Sequence, residues 1–126
     1  MTPQNQDWLT RFELHDTIHP HVASVLSSLP DPILHDFVTD PGFVLCDYEP
    51  GPNRMMHVPV RLGGRTVILK RTLHSRPQGF IRWVIAHELA HAHLRNAGRF
   101  PGEDPERAAD ALAANWGFPK PATMPW

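Results

Sequence analysis

Residues 80–94, FIRWVIAHELAHAHL, constrain the fold of this chain more than any other stretch. Their apolar side chains recur at helical spacing, which predicts one buried face along a long helix. That face is formed by Phe80, Ile81, Val84, Ile85, Leu89 and Ala92. Ser75 and Gln78 have the spacing of a capping box, and Gly98 suits the residue after a helix end. The sequence therefore predicts a buried central helix over about 76–97.

The same helix carries the pattern H-E-x-x-H at His87, Glu88 and His91. Residues four apart lie one turn apart on one helical face, so both imidazoles can bind a single Zn²⁺ ion. Glu88 lies about 100° around the helix, where its carboxylate can reach a water bound to that ion. Zinc lowers the pKa of such a water, and the carboxylate can take its proton during attack on a carbonyl. The pattern therefore indicates a zinc-dependent hydrolase, against the alternative of core histidines bonded to carbonyl groups.

A catalytic zinc site needs three protein ligands, so a further ligand has to come from elsewhere in the chain. His93 lies about 200° around the helix from His91 and is predicted to face away as a bystander. No histidine follows His93, and Leu94 and Ala97 occupy the glycine and histidine positions of the longer metzincin pattern. The sequence therefore predicts a carboxylate as the third ligand.

The segment EDPERAAD supplies the best carboxylates, because Glu106 and Asp110 are four apart and share a helix face. Glu106 can bind the zinc, while Asp110 can accept the outer N–H of a ligating histidine. The seven-residue loop before this segment can span about 24 Å, enough to turn the chain back. Asp104 is better used as the helix cap, and it remains a rival ligand together with Glu103. An acidic residue in a first helical turn is also favoured by the helix dipole alone.

The remaining elements are short and are separated by many of the chain's 14 prolines. Two short helices are predicted, over 20–29 and from Asp31-Pro32 through ILHDFV, and a later helix starts at Asp104-Pro105 and ends before Gly117. A strand is predicted over 42–48, and a hairpin joins 57–62 to 65–71 through Gly63-Gly64. This order predicts an α+β fold. A small, mainly antiparallel sheet would pack on the active-site helix and on a following antiparallel helix.

Composition narrows the class of protein further. The 126 residues suit one domain over 1–126, with a helical segment over about 1–41 and a catalytic core over about 42–118. The net charge of −1 and the pI near 6.7 favour neither a nucleic-acid partner nor a membrane surface. The single cysteine, Cys46, fits a reducing compartment and is predicted to be a small buried hydrophobe. No signal peptide or run of about 18 apolar residues is seen, so a cytoplasmic location is expected.

HELAHAHL followed by ERAADALAANWGF resembles the ImmA/IrrE-type zinc metallopeptidases of the gluzincin group. That family carries H-E-x-x-H on one helix and E-x-x-A-[DN] on the next. The resemblance covers about residues 42–118 and implies a minimal zincin-like fold. It implies His87, His91 and Glu106 as zinc ligands, Glu88 as the base and Asp110 as the acid behind the ligands. The E-x-x-A-D part carries most of the discrimination, because H-E-x-x-H is shared by many families.

The resemblance also implies a sheet whose edge strand pairs with an extended substrate, and that strand would be HVPVRL or RTVILK. The alternative is an ordinary hairpin whose edge is blunted by Pro59 and Arg61. Two departures stand out: only fourteen residues separate His91 from Glu106, and no tyrosine follows the motif. Help for the oxyanion would then come from another group, for which His74 and His57 are candidates. Core or lid packing is predicted for Trp83, Trp116, Phe118 and Trp126.

Three hypotheses follow for the function. The first is a zinc-dependent peptidase acting on a peptide or protein substrate. The resemblance implies a regulatory protein as that substrate, because some members of the similar family cut one, often a repressor. The second is a non-catalytic zinc-stabilised binding domain, in which the metal links two helices. The third is a toxin- or phage-associated regulatory protein with a decayed site. Retention of Glu88 argues against decay, because a purely structural site needs only its ligands.

Overall fold

A computed structural model describes residues 2–49, 65–95 and 104–123 of the chain. The elements in chain order are helices α1 (Pro3–Leu9), α2 (His19–Ser27) and α3 (Asp31–Val38), strands β1 (Phe43–Tyr48) and β2 (Arg65–Lys70), a 3₁₀ helix (Arg71–Ser75), and helices α4 (Gln78–Leu94) and α5 (Pro105–Asn115). The predicted α+β class is confirmed.

Helix α4 is the centre of the fold and contacts α2, α3, α5 and β2. Its predicted apolar face is confirmed. Phe80, Ile81, Ile85 and Leu89 are buried, while Val84 and Ala92 are partly buried against the same core. The core continues into both strands and into the three N-terminal helices. Within the described ranges, no helix combines the length and apolar character needed to cross a bilayer.

The start of α4 differs from the predicted capping box. The helix begins at Gln78, and Pro77 occupies the capping position without a side-chain cap. Ser75 instead ends the 3₁₀ helix, where its hydroxyl donates to the Thr72 carbonyl at 2.9 Å. The reason is Pro77, because a residue that precedes proline avoids the helical region, and Arg76 is extended with ψ 165°. At the other end α4 stops at Leu94, three residues before the predicted end, and Gly98 lies outside the described residues.

The described strand pair is parallel, so the prediction of a mainly antiparallel sheet is wrong for these residues. β1 pairs with β2 in a register that places Phe43 opposite Arg65 and Tyr48 opposite Lys70. Parallel strands need a connection of about a dozen or more residues, and residues 50–64 supply that length. The predicted hairpin pairs residues 57–62 with residues 65–71 through Gly63-Gly64, which is a different pairing from that of β1 with β2. Its first strand and its turn lie outside the described residues.

The N-terminal helices belong to the same packing unit as the rest. Helices α2 and α3 start and end within about two residues of their predicted positions, and each has proline in its first turn. Helix α1 has no counterpart among the elements predicted from the sequence. The Thr2 hydroxyl caps this helix by accepting from the Asn5 amide at 3.2 Å. Its buried Trp8 stacks on Phe43 of β1, with ring centroids 6.0 Å apart.

Candidate metal centre

Helix α4 places His87 and His91 on one face, as the spacing predicts. Their Nε2 atoms are 3.1 Å apart, and the two rings are nearly perpendicular. His87 is the only buried residue among the polar and charged ones that the structure describes, with 7% of its surface exposed. Such a burial needs partners for both ring nitrogens, because an unsatisfied polar group in a core costs about 1–3 kcal/mol. Those partners come from α5.

Helix α5 begins as the sequence predicts, and this start places its two acids against α4. The Asp104 side chain accepts from the backbone amides of Glu106 and Arg107, and Pro105 is the first helical residue. Glu106 therefore lies in the first turn and Asp110 one turn later on the same face. At the other end, Gly117 has φ 99°, a conformation that glycine tolerates best.

Both carboxylates reach the histidines. The two Glu106 oxygens lie 2.9 Å from His87 Nε2 and 3.0 Å from His91 Nε2. Asp110 Oδ1 lies 2.9 Å from the other nitrogen of His87, Nδ1. His91 thus faces the start of α5, while His87 also reaches a later turn, which is the order expected of antiparallel helices. Ala109, fully buried, leaves room for this close approach.

The three groups His87, His91 and Glu106 can hold a metal ion, since one ligand atom of each lies within 4.8 Å of the others. Their closest separations are 2.9, 3.0 and 3.1 Å. A tetrahedral ion with ligands at about 2.0–2.1 Å would separate them by about 3.3 Å, so only a small outward movement is needed.

The proton balance of His87 also fits a cation. When Nδ1–H donates to the Asp110 carboxylate, the neutral ring presents the Nε2 lone pair to a Glu106 oxygen. Two acceptors at 2.9 Å repel each other unless a proton or a metal ion lies between them. Asp110 therefore orients His87 with its lone pair towards Glu106, which is the arrangement a metal ligand requires.

Glu88 lines the cleft beside this group and is half-buried. Burial is the largest influence and raises the pKa of its carboxyl above the usual value; the negative charge of Glu106 also raises it, while His87 and His91 lower it to the extent that they carry a proton. A cation bound between the histidines would act in the lowering direction. The cleft has a volume of about 310 Å³. Its walls are Ile68, Leu69 and Lys70 of β2, Leu73 of the 3₁₀ helix, and Trp83, Val84, His87 and Glu88 of α4.

The other candidate residues lie elsewhere. His93 is outside the metal group, as predicted, and its Nδ1 lies 2.8 Å from Asp36 Oδ2 on α3. His74 is exposed on the 3₁₀ helix and is not one of the residues lining the cleft. Asp104 serves as the cap rather than as a ligand. His57 and Glu103 lie outside the described residues.

Two residues that lie near the site were not predicted to belong to it. Trp83 was predicted to serve only in packing. It is indeed buried, but its ring lies 5.1 Å from that of His87 and it lines the cleft. Lys120, which follows α5, has its Nζ 3.9 Å from Asp110 Oδ2 and 5.9 Å from the Trp83 ring. The position of Trp83, four residues before His87, was a usable signal, whereas nothing in the sequence pointed to Lys120.

Taken together, these residues define a candidate His-His-Glu metal centre with a carboxylate, Glu88, at its side. Comparison with known proteins adds no relative: no family model, no curated protein and no solved structure matches the chain. The likeness to the ImmA/IrrE-type peptidases therefore remains a resemblance in motif.

Proposed function

We propose that this protein is a zinc-dependent peptidase that hydrolyses peptide bonds of a peptide or protein substrate. The observation that carries the proposal is the convergence of His87, His91 and Glu106 beside a cleft that Glu88 lines. Two imidazoles and a carboxylate form a ligand set that zinc uses in catalytic sites, where one position stays open to water or substrate. Within the described part of the chain, this is the group with metal-binding geometry.

Each residue has a distinct role in the proposal. When bound, zinc supplies Lewis acidity and lowers the pKa of a coordinated water. His87, His91 and Glu106 hold the ion, and Asp110 keeps the His87 ring in the orientation that directs Nε2 towards it. Glu88, which lines the cleft beside these ligands, accepts the proton of the attacking water.

The cleft suggests where the substrate binds. It runs between β2 and α4, and side chains of both line it next to Glu88. Its volume of about 310 Å³ suits a short stretch of peptide rather than a folded domain. The motif resemblance points to a flexible segment of a regulatory protein in the cytoplasm as the substrate.

A non-catalytic zinc-stabilised domain is the second candidate, and one observation favours it. The proposed ligands come from both α4 and α5, which residues 95–104 connect in the chain. A bound ion would therefore link these two helices. Such a domain would bind a regulatory partner without cleaving it. It would need His87, His91 and Glu106, whereas it would have no use for the Glu88 carboxylate.

Glu88→Gln distinguishes the two candidates, because it keeps the shape of the side chain and removes the base. Zinc content is measured by elemental analysis, and cleavage is measured by mass spectrometry of an unbiased peptide library. A peptidase predicts about one zinc per chain in both proteins, with cleavage products from the unaltered protein alone. His35→Gln, at an exposed position of α3, is the matched control and should leave both zinc content and cleavage unchanged. Equal cleavage by the Glu88→Gln variant, or protein without zinc, would contradict the proposal.

A further inference from the structure

A second charged cluster packs against the last turn of α4, and its centre is Arg65 at the start of β2. The guanidinium donates to Asp36 through two nitrogens, at 2.9 and 3.1 Å, and Nε donates to Asp40 at 2.8 Å. It also lies over the rings of Phe37 and Phe43, 5.5 and 5.8 Å from their centroids. The Arg65 side chain is 9% exposed, so this cation is held rigidly rather than sampling solvent.

The same guanidinium reaches the helix that carries the proposed metal ligands. Arg65 donates from a terminal nitrogen to the Ala92 carbonyl at 2.9 Å. The last four carbonyls of a helix have no partner within it, and α4 ends at Leu94. Arg65 therefore supplies one of the donors that this helix end needs. Its positive charge also lies where the helix dipole favours a cation.

Asp36 makes two more contacts with this turn. His93 Nδ1 lies 2.8 Å from Asp36 Oδ2, and the Arg95 guanidinium lies 3.4 Å from Oδ1. Arg95 has φ 53°, which makes it the one non-glycine residue with positive φ in the described ranges. A non-glycine residue holds this conformation only when its surroundings favour it. The Asp36–Arg65 pair thus contacts Ala92, His93 and Arg95, directly after the ligand His91.

We propose that Arg65, held by Asp36 and Asp40, is a positioning residue for the metal ligand His91. This inference rests on the proposed metal centre. It assigns a role to α3, which provides Asp36, and to the residues after it, which provide Asp40. Metal sites need ligands placed within about 0.5 Å. Helix ends fray, and His91 lies only three residues before the end of α4. By binding the Ala92 carbonyl, the fixed Arg65 guanidinium keeps the last turn of α4 helical and so keeps His91 next to Glu106.

Arg71 provides a matched control for a test. Its Nε donates to Asp47 Oδ1 at 2.8 Å, and the Asp47 side chain is fully buried, so this too is an ion pair of the fold. Arg71–Asp47 joins the 3₁₀ helix to β1, whereas the Arg65–Asp36 pair joins β2 to α3 and to the last turn of α4. Arg65→Lys and Arg71→Lys therefore both keep the charge and lose the planar fork, at different places.

The experiment compares full-length protein with the Arg65→Lys, Asp36→Asn and Arg71→Lys variants. Zinc affinity is measured by competition with a chromogenic chelator, and the absorption of bound Co²⁺ reports the ligand geometry. Arg65→Lys and Asp36→Asn are expected to weaken zinc binding about tenfold and to alter the Co²⁺ spectrum, as loss of support behind a ligand does. Arg71→Lys is expected to leave the zinc affinity and the Co²⁺ spectrum unchanged, even if it lowers the unfolding midpoint as much as Arg65→Lys does. Hydrogen exchange of the metal-free proteins should be faster at amides 91–95 in the first two variants alone.

The outcomes separate this inference from the proposed function. If the unaltered protein binds zinc, and Arg65→Lys and Asp36→Asn bind it equally well with the same Co²⁺ spectrum, the positioning role is wrong and the metal centre stands. If Arg71→Lys weakens zinc binding as much as Arg65→Lys at equal stability, the effect is general and the positioning role is again wrong. If the unaltered protein binds no zinc, the proposed function fails and the positioning role fails with it.

Discussion

Two clusters of carboxylates and histidines flank α4, and they differ in where their positive charge comes from. In the first, Asp36 and Asp40 surround Arg65, which donates to both, and His93 joins them. In the second, Glu106 and Asp110 face His87 and His91. Among the ion pairs of the described residues, Glu106 meets only these two histidines, and Asp110 has Lys120 no nearer than 3.9 Å.

The difference teaches what each cluster is for. A carboxylate pair that encloses its own arginine is complete, and its contribution is to hold elements together. A carboxylate that faces the lone pairs of neutral histidines is incomplete, and a proton or a divalent cation completes it. Changing one carboxylate to its amide should therefore mainly lower stability in the first cluster and mainly lower zinc affinity in the second.

Glu106→Gln should have the largest effect on metal binding. The amide removes the anionic ligand while keeping the shape of the side chain, so zinc affinity should fall by more than the about 100-fold that loss of a supporting residue can cause. The stability of the metal-free protein should change little, because 65% of the Glu106 side chain is exposed. Chelator competition and urea unfolding without zinc give the two quantities.

Asp36→Asn is the counterpart in the first cluster. It removes a charged partner from the nearly buried Arg65, so metal-free stability should fall by about 1–3 kcal/mol. Its zinc affinity should fall far less than that of Glu106→Gln, because no ligand is removed. The comparison breaks if the two substitutions reduce zinc affinity to the same extent.

Asp110→Asn should weaken zinc binding about 10- to 100-fold, which is less than the loss of a ligand. The amide can accept from His87 Nδ1–H but lacks the charge that raises the basicity of the ring. Ala109→Ser, on the neighbouring buried position, is a control for general disturbance of α5 and should change stability more than affinity. If Asp110→Asn binds zinc as tightly as the unaltered protein, Asp110 does not support the metal ligand His87.

Lowering the pH should have a smaller effect, on the stability that the Asp36 carboxylate of the first cluster contributes. Burial tends to raise the pKa of Asp36. The hydrogen bonds from Arg65 and His93 and the charges of Arg65 and Arg95 outweigh it and hold the pKa at about 2. A carboxyl whose pKa is lower in the folded state stabilises the fold above its ordinary pKa of about 3.9 and loses this contribution as the pH falls towards 2. The stability difference between the unaltered protein and Asp36→Asn should be constant above about pH 4.

That difference should shrink between pH 4 and pH 2 when unfolding is followed with urea in metal-free protein. A difference that stays constant across this range would show that the charge of Asp36 is not what stabilises the fold. Zinc is left out of both samples, because protonation of the ligands would otherwise add its own pH dependence.

Local patterns predicted the proposed centre better than the rest of the fold. The helical period alone places His87 and His91 together, and Asp104-Pro105 marks the start of the helix that carries Glu106. Both signals act over a few residues. The parallel pairing of β1 with β2 and the Arg65 cluster join positions more than twenty residues apart, and no spacing rule reaches that far. Pro77 was a local signal for the start of α4, but the capping-box spacing of Ser75 and Gln78 outweighed it in the sequence reasoning.

Lys120→Ala should have the smallest effect, and it sharpens the comparison because, among the ion pairs of the described residues, Lys120 is the lysine or arginine that lies beside the second cluster. Its Nζ lies 3.9 Å from Asp110 Oδ2, and 52% of the side chain is exposed, so the attraction is that of a surface ion pair worth about 0–1 kcal/mol. Zinc affinity, measured by chelator competition, should change by less than about fivefold. Its amine packs over Trp83, so the Trp83 fluorescence should shift even where affinity does not. A loss of affinity as large as that of Asp110→Asn would mean that this cluster carries its own cation, as the Arg65 cluster does.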